Sequence, residues 1–333
     1  MRYPAFLKEN DVAGVTAPSF GIRESDLGRY FAAKEFFASH GINIVETADV
    51  FTSHICASAP KEERARQFVG LYEDEDVSGI FAASGGELEL LIADSLYWER
   101  IKDKKPKFFC GYSDNTVITY TLATRFDTAS VYGSCFCKLG EDTLSAADHI
   151  SLLTGRKLKF RSYPKHCENY SFEMSEEEAA EFNAVTEWKS LAGGGSLSGR
   201  LLGGCLDILG GICGTRADAT ARFNAKYGKE GILWFLESCD LNPAGVARTL
   251  WQLKSAGWFD CASGFVFGRP YVSGEMFGLT FEGAVTEILG DTGLPVVVGA
   301  DIGHVPPVIP VFSGAYSRIE VEGGKAEIEY ILV

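Results

Sequence analysis

Lys107-Phe108-Phe109-Cys110-Gly111-Tyr112-Ser113-Asp114-Asn115-Thr116 is the stretch from which the fold can be read. Its apolar run, Phe108 to Cys110, predicts a buried strand. Gly111 can take φ > 0, the small polar residues behind it can start a helix, and the apolar spacing of 117–124 carries that helix on. Ser113 would then stand at a tight corner, at the carboxyl end of a strand and the amino end of a helix. Such a corner exposes a hydroxyl and offers free backbone N–H groups to an oxyanion. The same residues also make an ordinary helix N-cap, and Asn115 stands where a G-x-S-x-G elbow has its second glycine, so this stretch alone leaves both readings open.

Towards the amino end the pattern repeats. A short apolar strand is predicted over Asp11 to Ala17, a helix over Asp26 to His40 and a strand over Ile42 to Val45. A helix opening at Ser58-Ala59-Pro60, with acids in its first turn, runs through Leu71. Gly79 to Ala83 is a further strand ending in Ser84-Gly85-Gly86, and Glu87 to Leu96 reads as another helix. Alternating strands and helices predict a doubly wound parallel sheet, with ligands at the carboxyl ends of its strands. No G-x-G-x-x-G follows the first strand, which argues against a nucleotide-dependent oxidoreductase. The Ser84-Gly85-Gly86 stretch is either a plain tight turn or the source of a backbone N–H facing Ser113, as half of an oxyanion hole.

Towards the carboxyl end the character changes. Lys157 to Phe182 is polar and acidic and reads as a linker or lid, with Trp188 just past it. The glycine-dense run 193–204 lacks the ending of a phosphate-binding P-loop and reads as a β-turn between strands. Short strands dominate beyond it, with one or two helices, which predicts a smaller, β-rich α/β domain. The expected division is 1–156 for the sheet domain carrying Ser113, 157–192 for the crossing and 193–333 for the second domain.

A chain of 333 residues exceeds the usual size of one core, consistent with two domains. A net charge of −14 without any basic run argues against nucleic acid or an anionic membrane as a partner. The first ten residues hold no signal-peptide core and no later run reaches about 18 apolar residues, so the expectation is a cytoplasmic protein. Nine cysteines without a C-x-x-C pair point to buried reduced thiols rather than a zinc site.

Two further residues bear on Ser113. Glu237 follows the apolar strand 231–236, and His304 lies in Gly303-His304-Val305-Pro306-Pro307 after another β segment. Either can be an incidental loop residue. Strand ends converge on one pocket in such folds, however, and the roles then divide into Ser113 as nucleophile, His304 as general base and acid, and Glu237 as the acceptor that orients the imidazole.

Nearly the whole chain resembles a family of serine peptidases that includes the LD-carboxypeptidases of murein recycling and the microcin C self-immunity peptidases. The resemblance runs through Ala17-Pro18-Ser19, Ser58-Ala59 with Arg64-Ala65, Gly85-Gly86, Pro106-Lys107, Gly111 to Asp114 with Thr116, Gly203-Gly204, Leu236-Glu237, and Asp301 to His304 with Pro307 and Pro310. It implies a Rossmann-like amino-terminal domain with the nucleophile and a β-rich carboxy-terminal domain with Glu and His. It also implies a site between them, an oxyanion hole from the N–H groups of Gly86 and Asp114, no cofactor, and a homodimer. Two departures matter for specificity: Ser84 stands where many murein-directed members have Arg, and Cys205 where Asn is common. Ser84-Gly85-Gly86 and Trp188 resemble the microcin C branch, in which an aromatic side chain stacks on the substrate's base. That makes Ser84, Gly85 and Trp188 the expected substrate-binding residues and an aminoacyl-nucleotide the expected substrate, with a small murein peptide as the alternative. A non-catalytic binding protein on the same scaffold is the remaining alternative, opposed by the intact Ser, Glu and His.

Overall fold

The computed structural model describes residues 1–140, 143–174, 176–179 and 181–333. The first sheet grows as its alternating pattern predicts: β1 (Val12–Thr16), α1 (Leu27–Ser39), β2 (Asn43–Glu46), α2 (Lys61–Glu73), β3 (Val77–Ala82), β4 (Phe108–Gly111), α3 (Thr116–Phe126), β5 (Ser130–Tyr132) and α4 (Thr143–Leu153). Its first five strands are parallel, in the order β5-β4-β3-β1-β2. All four residues of β4 are buried, as expected of a strand covered on both faces.

The predicted helix over 87–96 does not form. Two 3-10 turns, Glu89–Ile92 and Leu96–Ile101, stand there instead. Their carbonyls, or those flanking them, are claimed by side chains: Arg64 donates to that of Leu88, Trp98 Nε1 of the second turn to that of Ile92 and Arg125 to that of Ala93. These tertiary bonds take the place of the helical ladder.

The crossing is more ordered than a linker. It contains β6 (Lys159–Arg161), a small hairpin of β7 (Lys165–His166) and β8 (Ala184–Val185) around the single turn α5 (Glu176–Ala179), and β9 (Lys189–Ala192). The second sheet follows with β10 (Ser196–Cys205), α6 (Leu206–Ile212), α7 (Thr220–Tyr227), β11 (Ile232–Glu237), α8 (Pro243–Ser255), β12 (Ala262–Gly268), α9 (Phe281–Leu289) and β13 (Val296–Ala300). The chain ends with β14 (Val311–Ser313), β15 (Tyr316–Glu322) and β16 (Lys325–Ile331). The sheet order is β6-β16-β15-β10-β11-β12-β13-β9, with a parallel centre of β10 to β13 and antiparallel edges.

Two expectations are corrected here. The second half carries α6 to α9 among the described residues, where one or two helices were expected, within the expected α/β domain. Of the run 193–204 expected as a β-turn between strands, 193–195 does link β9 to β10, with Gly193 and Gly194 at positive φ, but the rest is the long central strand β10, buried over most of its length. Its glycines serve close approach: a Cβ on Gly203 would land on the Phe235 carbonyl oxygen, and one on Gly204 would lie 2.5 Å from Thr116 Cγ2. Sheet membership also crosses the expected boundaries, because β14 pairs antiparallel with β5 and so joins the first sheet. A single apolar cluster includes Phe109 and Phe312 of the first sheet together with Leu201 and Phe235 of the second.

Candidate active site

Ser113 lies where β4 ends, with α3 beginning three residues later, and its φ is +63°. That conformation costs a non-glycine residue of order 1–3 kcal/mol and persists only where the surroundings enforce it. One such contact is the hydrogen bond that the Ser113 N–H donates to the Tyr132 hydroxyl oxygen at 3.1 Å. Tyr132, at the end of the neighbouring β5, donates its own O–H to Glu237 Oε1. Glu237 Oε2 in turn accepts from His304 Nδ1 at 2.8 Å. The elbow, the end of β11 and the loop after β13 are thereby joined in one chain of hydrogen bonds. The Tyr112 ring, beside Ser113, adds a contact at 4.9 Å between its centroid and that of His304.

Glu237 is fully buried, and burial works to raise its pKa; the His304 charge and donors from His304, Tyr132 and Cys205 outweigh this and hold the carboxyl below its ordinary value. Burial likewise works to lower His304, and the Glu237 charge and hydrogen bond, aided by Asp207 and Asp240, leave it above its ordinary value. The imidazole therefore has its Nδ1 fixed on a carboxylate, its tautomer set, and its protonated form stabilised. Such a ring is prepared to accept a proton at Nε2.

The expected glycine turn meets the elbow. A Cβ added to Gly85 would lie 3.5 Å from Ser113 Cβ and 3.7 Å from its Oγ, so Gly85 stands in van der Waals reach of the serine side chain. Asn115 Nδ2 donates to the Ser84 carbonyl at 3.1 Å. Gly86 has φ +155°, and any side chain on it would collide with Ser19 Oγ. Ser84, Gly85, Gly86, Ser113, Asp114, Glu237 and His304 thus fall in one region.

Trp188 does not reach over it. Only 2% exposed, it donates from Nε1 to Asp301 Oδ2 at 2.9 Å, and its backbone N–H goes to Gly324. The indole is a core group: it is one of three donors, with Arg269 and the Tyr163 backbone N–H, that satisfy the buried Asp301 carboxylate. The exposed aromatic near His304 is Phe172, in the crossing segment, 46% exposed and stacked on Tyr271 at 4.6 Å and 21°. Its ring meets His304 edge-on at 5.9 Å. Sequence reasoning missed Phe172, Tyr271 and Tyr132. For Tyr132 a signal existed, a tyrosine closing the strand next to the elbow strand.

A serine held at positive φ at a strand-to-helix elbow, its backbone linked through Tyr132 and Glu237 to a carboxylate-bound histidine, brings together the groups that acyl transfer needs. Residues 13–133 match the model of the LD-carboxypeptidase N-terminal domain and residues 198–319 that of the LD-carboxypeptidase C-terminal domain. The chain belongs to this family and is a serine peptidase. It is 23% identical to a putative carboxypeptidase of Vibrio cholerae, over 99% of this chain and 98% of that protein. It is also 23% identical to the microcin C7 self-immunity protein MccF of Escherichia coli, over 97% and 94%. Among solved structures, MccF in complex with aspartyl sulfamoyl adenosine superposes with a TM-score of 0.82 at 21% identity, covering 99% of each chain. An MccF-like protein from Bacillus anthracis gives 0.83 at 20% identity, covering 100% of each.

Proposed function

We propose that the chain is a serine carboxypeptidase or amidase that cleaves aminoacyl-nucleotide amides, with Ser113 as nucleophile, His304 as general base and then acid, and Glu237 as its orienting carboxylate. The observation that carries the triad is the hydrogen-bond chain from the Ser113 N–H through Tyr132 and Glu237 to His304, which ties the three strand ends together. In this mechanism Ser113 Oγ attacks the scissile carbonyl and passes its proton to His304 Nε2. The oxyanion is held by the N–H groups of Gly86 and Asp114, and the imidazolium then protonates the leaving amine. Water enters and loses a proton to the same imidazole, attacks the acyl-enzyme, and restores Ser113.

The nucleotide part of the reading is supported by the ligands named for the similar structures, aspartyl sulfamoyl adenosine in MccF among them, and by Ser84 in place of an arginine beside the glycine pair. Phe172, backed by Tyr271, takes over the base-stacking role expected of Trp188. The unpaired state of all nine cysteines supports a cytoplasmic setting, and the family resemblance extends the reading to a homodimer.

A hydrolysis panel pairing an aminoacyl sulfamoyl adenosine with an L,D-linked murein tetrapeptide tests both parts. Turnover of the nucleotide conjugate is expected, falling on the order of 10³-fold or more in Ser113→Ala with the fold retained. Near wild-type turnover by that variant would reduce Ser113 to a helix cap, and cleavage of the tetrapeptide alone would replace the substrate assignment.

A further inference from the structure

The two residues immediately after Ser113 carry side chains that turn back onto the glycine turn. Asp114 is completely buried. Its Oδ2 accepts from Ser19 Oγ and, at 2.8 Å, from the Glu89 backbone N–H, while Oδ1 has no partner among the described residues. The orientation of the carboxylate is therefore set by two donors, one on each side of the turn. Ser19 is the residue against which Gly86 packs without a side chain. Phe20, next to it, donates its N–H to the Gly85 carbonyl at 3.0 Å. Asn115, also fully buried, reaches the Ser84 carbonyl. The segment from Ser84 to Glu89 is thus gripped at Ser84 and Glu89 by the elbow's own side chains, and at Gly85 by the Ser19-Phe20 stretch that Asp114 also holds.

Arg64 closes the assembly from behind. It donates to the carbonyls of Pro18 at 2.5 Å, Ala59 at 2.9 Å and Leu88 at 3.1 Å, so its guanidinium fixes the residues just before Ser19 and just before Glu89. A positive charge is kept beside the Asp114 and Glu89 carboxyls, both inside the protein. None of these groups takes part in proton transfer as proposed above.

We infer that the Asp114 side chain, through Ser19 and the Glu89 N–H, is a positioning device for the oxyanion hole, setting the separation between the hole donor on the elbow and the one on the glycine turn. The assignment rests on the reading of Ser113 as nucleophile. Its logic is that the two hole donors come from different stretches of chain, Gly86 and Asp114, and a hole works only when both point at the place where the oxyanion forms. A carboxylate whose backbone N–H is one donor and whose side chain binds the mount of the other couples the two directly. The substitution of Asn115 for an elbow glycine fits the same scheme, because the amide supplies a further tie that a glycine could not.

Oxyanion stabilisation exists only in the transition state, which dictates the test. Ser19→Ala removes one tie with the least change of shape, and Asp114→Asn weakens both while keeping the backbone donor. Each is assayed with the hydrolysed substrate, and active sites are counted by titration with a serine-directed phosphonofluoridate. The expected result is a kcat per titrated site lower by about 10- to 100-fold, with KM within about twofold. The inhibition constant of a boronic acid carrying the same acyl group should rise by the factor by which kcat/KM falls. If both variants, or Ser19→Ala where Asp114→Asn does not fold, keep wild-type kcat per titrated site while only stability or the titrated fraction falls, the ties are merely structural and the inference is overturned. Ser113→Ala run alongside separates the two levels: if it stays active, the nucleophile assignment fails and the positioning role with it, whereas an inactive Ser113→Ala beside an unimpaired Ser19→Ala removes the positioning role alone.

Discussion

His304 carries an opposed pair of influences, burial pushing its pKa down and the Glu237 carboxylate pushing it up, and the carboxylate prevails. Since a neutral imidazole must accept the serine proton, kcat/KM should rise with pH through an apparent pKa above the usual histidine value of about 6.5. Glu237→Gln removes the charge and keeps the shape. The acidic limb should then move to lower pH while the plateau falls by orders of magnitude, because the imidazolium loses its counter-charge and the ring its fixed tautomer. A pH–rate profile of the variant decides this, and an unmoved limb with an unchanged plateau would release Glu237 from the role. Tyr132→Phe is a milder lesion at the same place. It takes one donor from Glu237 and leaves the Ser113 N–H without its acceptor, so a loss of about 10- to 100-fold in kcat/KM is expected from bonds contributing roughly 1.5–3 kcal/mol when charged. Ser113 and His304 were legible in the sequence because each stands in a turn right after an apolar run, and Glu237 because it closes one. Tyr132 offered only its place at the close of the strand next to the elbow strand, because it belongs to the apolar run itself and acquires its role when β5 pairs with β4.

At the scale of elements, legibility followed length. Apart from the helix expected over 87–96, the strands and helices of the first sheet announce themselves by apolar runs and capping residues, and they form close to where those signals place them. β6, β9 and β14 have three or four residues each and carry no period of their own; they exist because a sheet edge accepts them. In β10 the glycines of 196–204 hide the strand for another reason. Glycine normally marks a break, yet at Gly203 and Gly204 it lets the strand pass within contact of Phe235 and of Thr116 at the start of α3. The Cys205 N–H completes this junction by donating to Thr116 Oγ1 at 3.0 Å, so the strand leading into α6 is tied to the elbow helix. Gly203→Ala should be destabilised on the order of 2 kcal/mol or more, since φ +156° and the Phe235 carbonyl both exclude a Cβ. Urea unfolding measures it, and an unchanged midpoint would mean that β10 and β11 part without cost.

For the whole molecule, the decisive feature is that the candidate site belongs to neither sheet. The elbow and Tyr132 come from the first, Glu237 and the His304 loop from the second, and Phe172 from the segment that crosses between them. The crossing is anchored where it matters: the Cys167 N–H donates to Pro306 beside His304, and Phe172 rests on Tyr271 after β12. Phe172 and Trp188 of this segment consequently have different duties, and their substitutions should separate. Phe172→Ala removes an exposed face near His304, and because base stacking on an aromatic ring contributes roughly 1–3 kcal/mol, nucleotide-linked substrates should lose about 10- to 100-fold in kcat/KM while a murein tetrapeptide loses little. Trp188→Phe acts instead on the support of Asp301, which with Arg269 holds the loop carrying His304: Arg269 binds Asp301 Oδ1 and also the carbonyls of Val305 and Pro307. Loss of the indole donor should lower stability by about 1–3 kcal/mol and depress both substrates alike, because the change reaches the site through the position of the histidine and not through contact with the base. The opposite pattern, selective loss in Trp188→Phe and none in Phe172→Ala, would show that the tryptophan leaves the core when substrate binds and that Phe172 is only the cover of Tyr271.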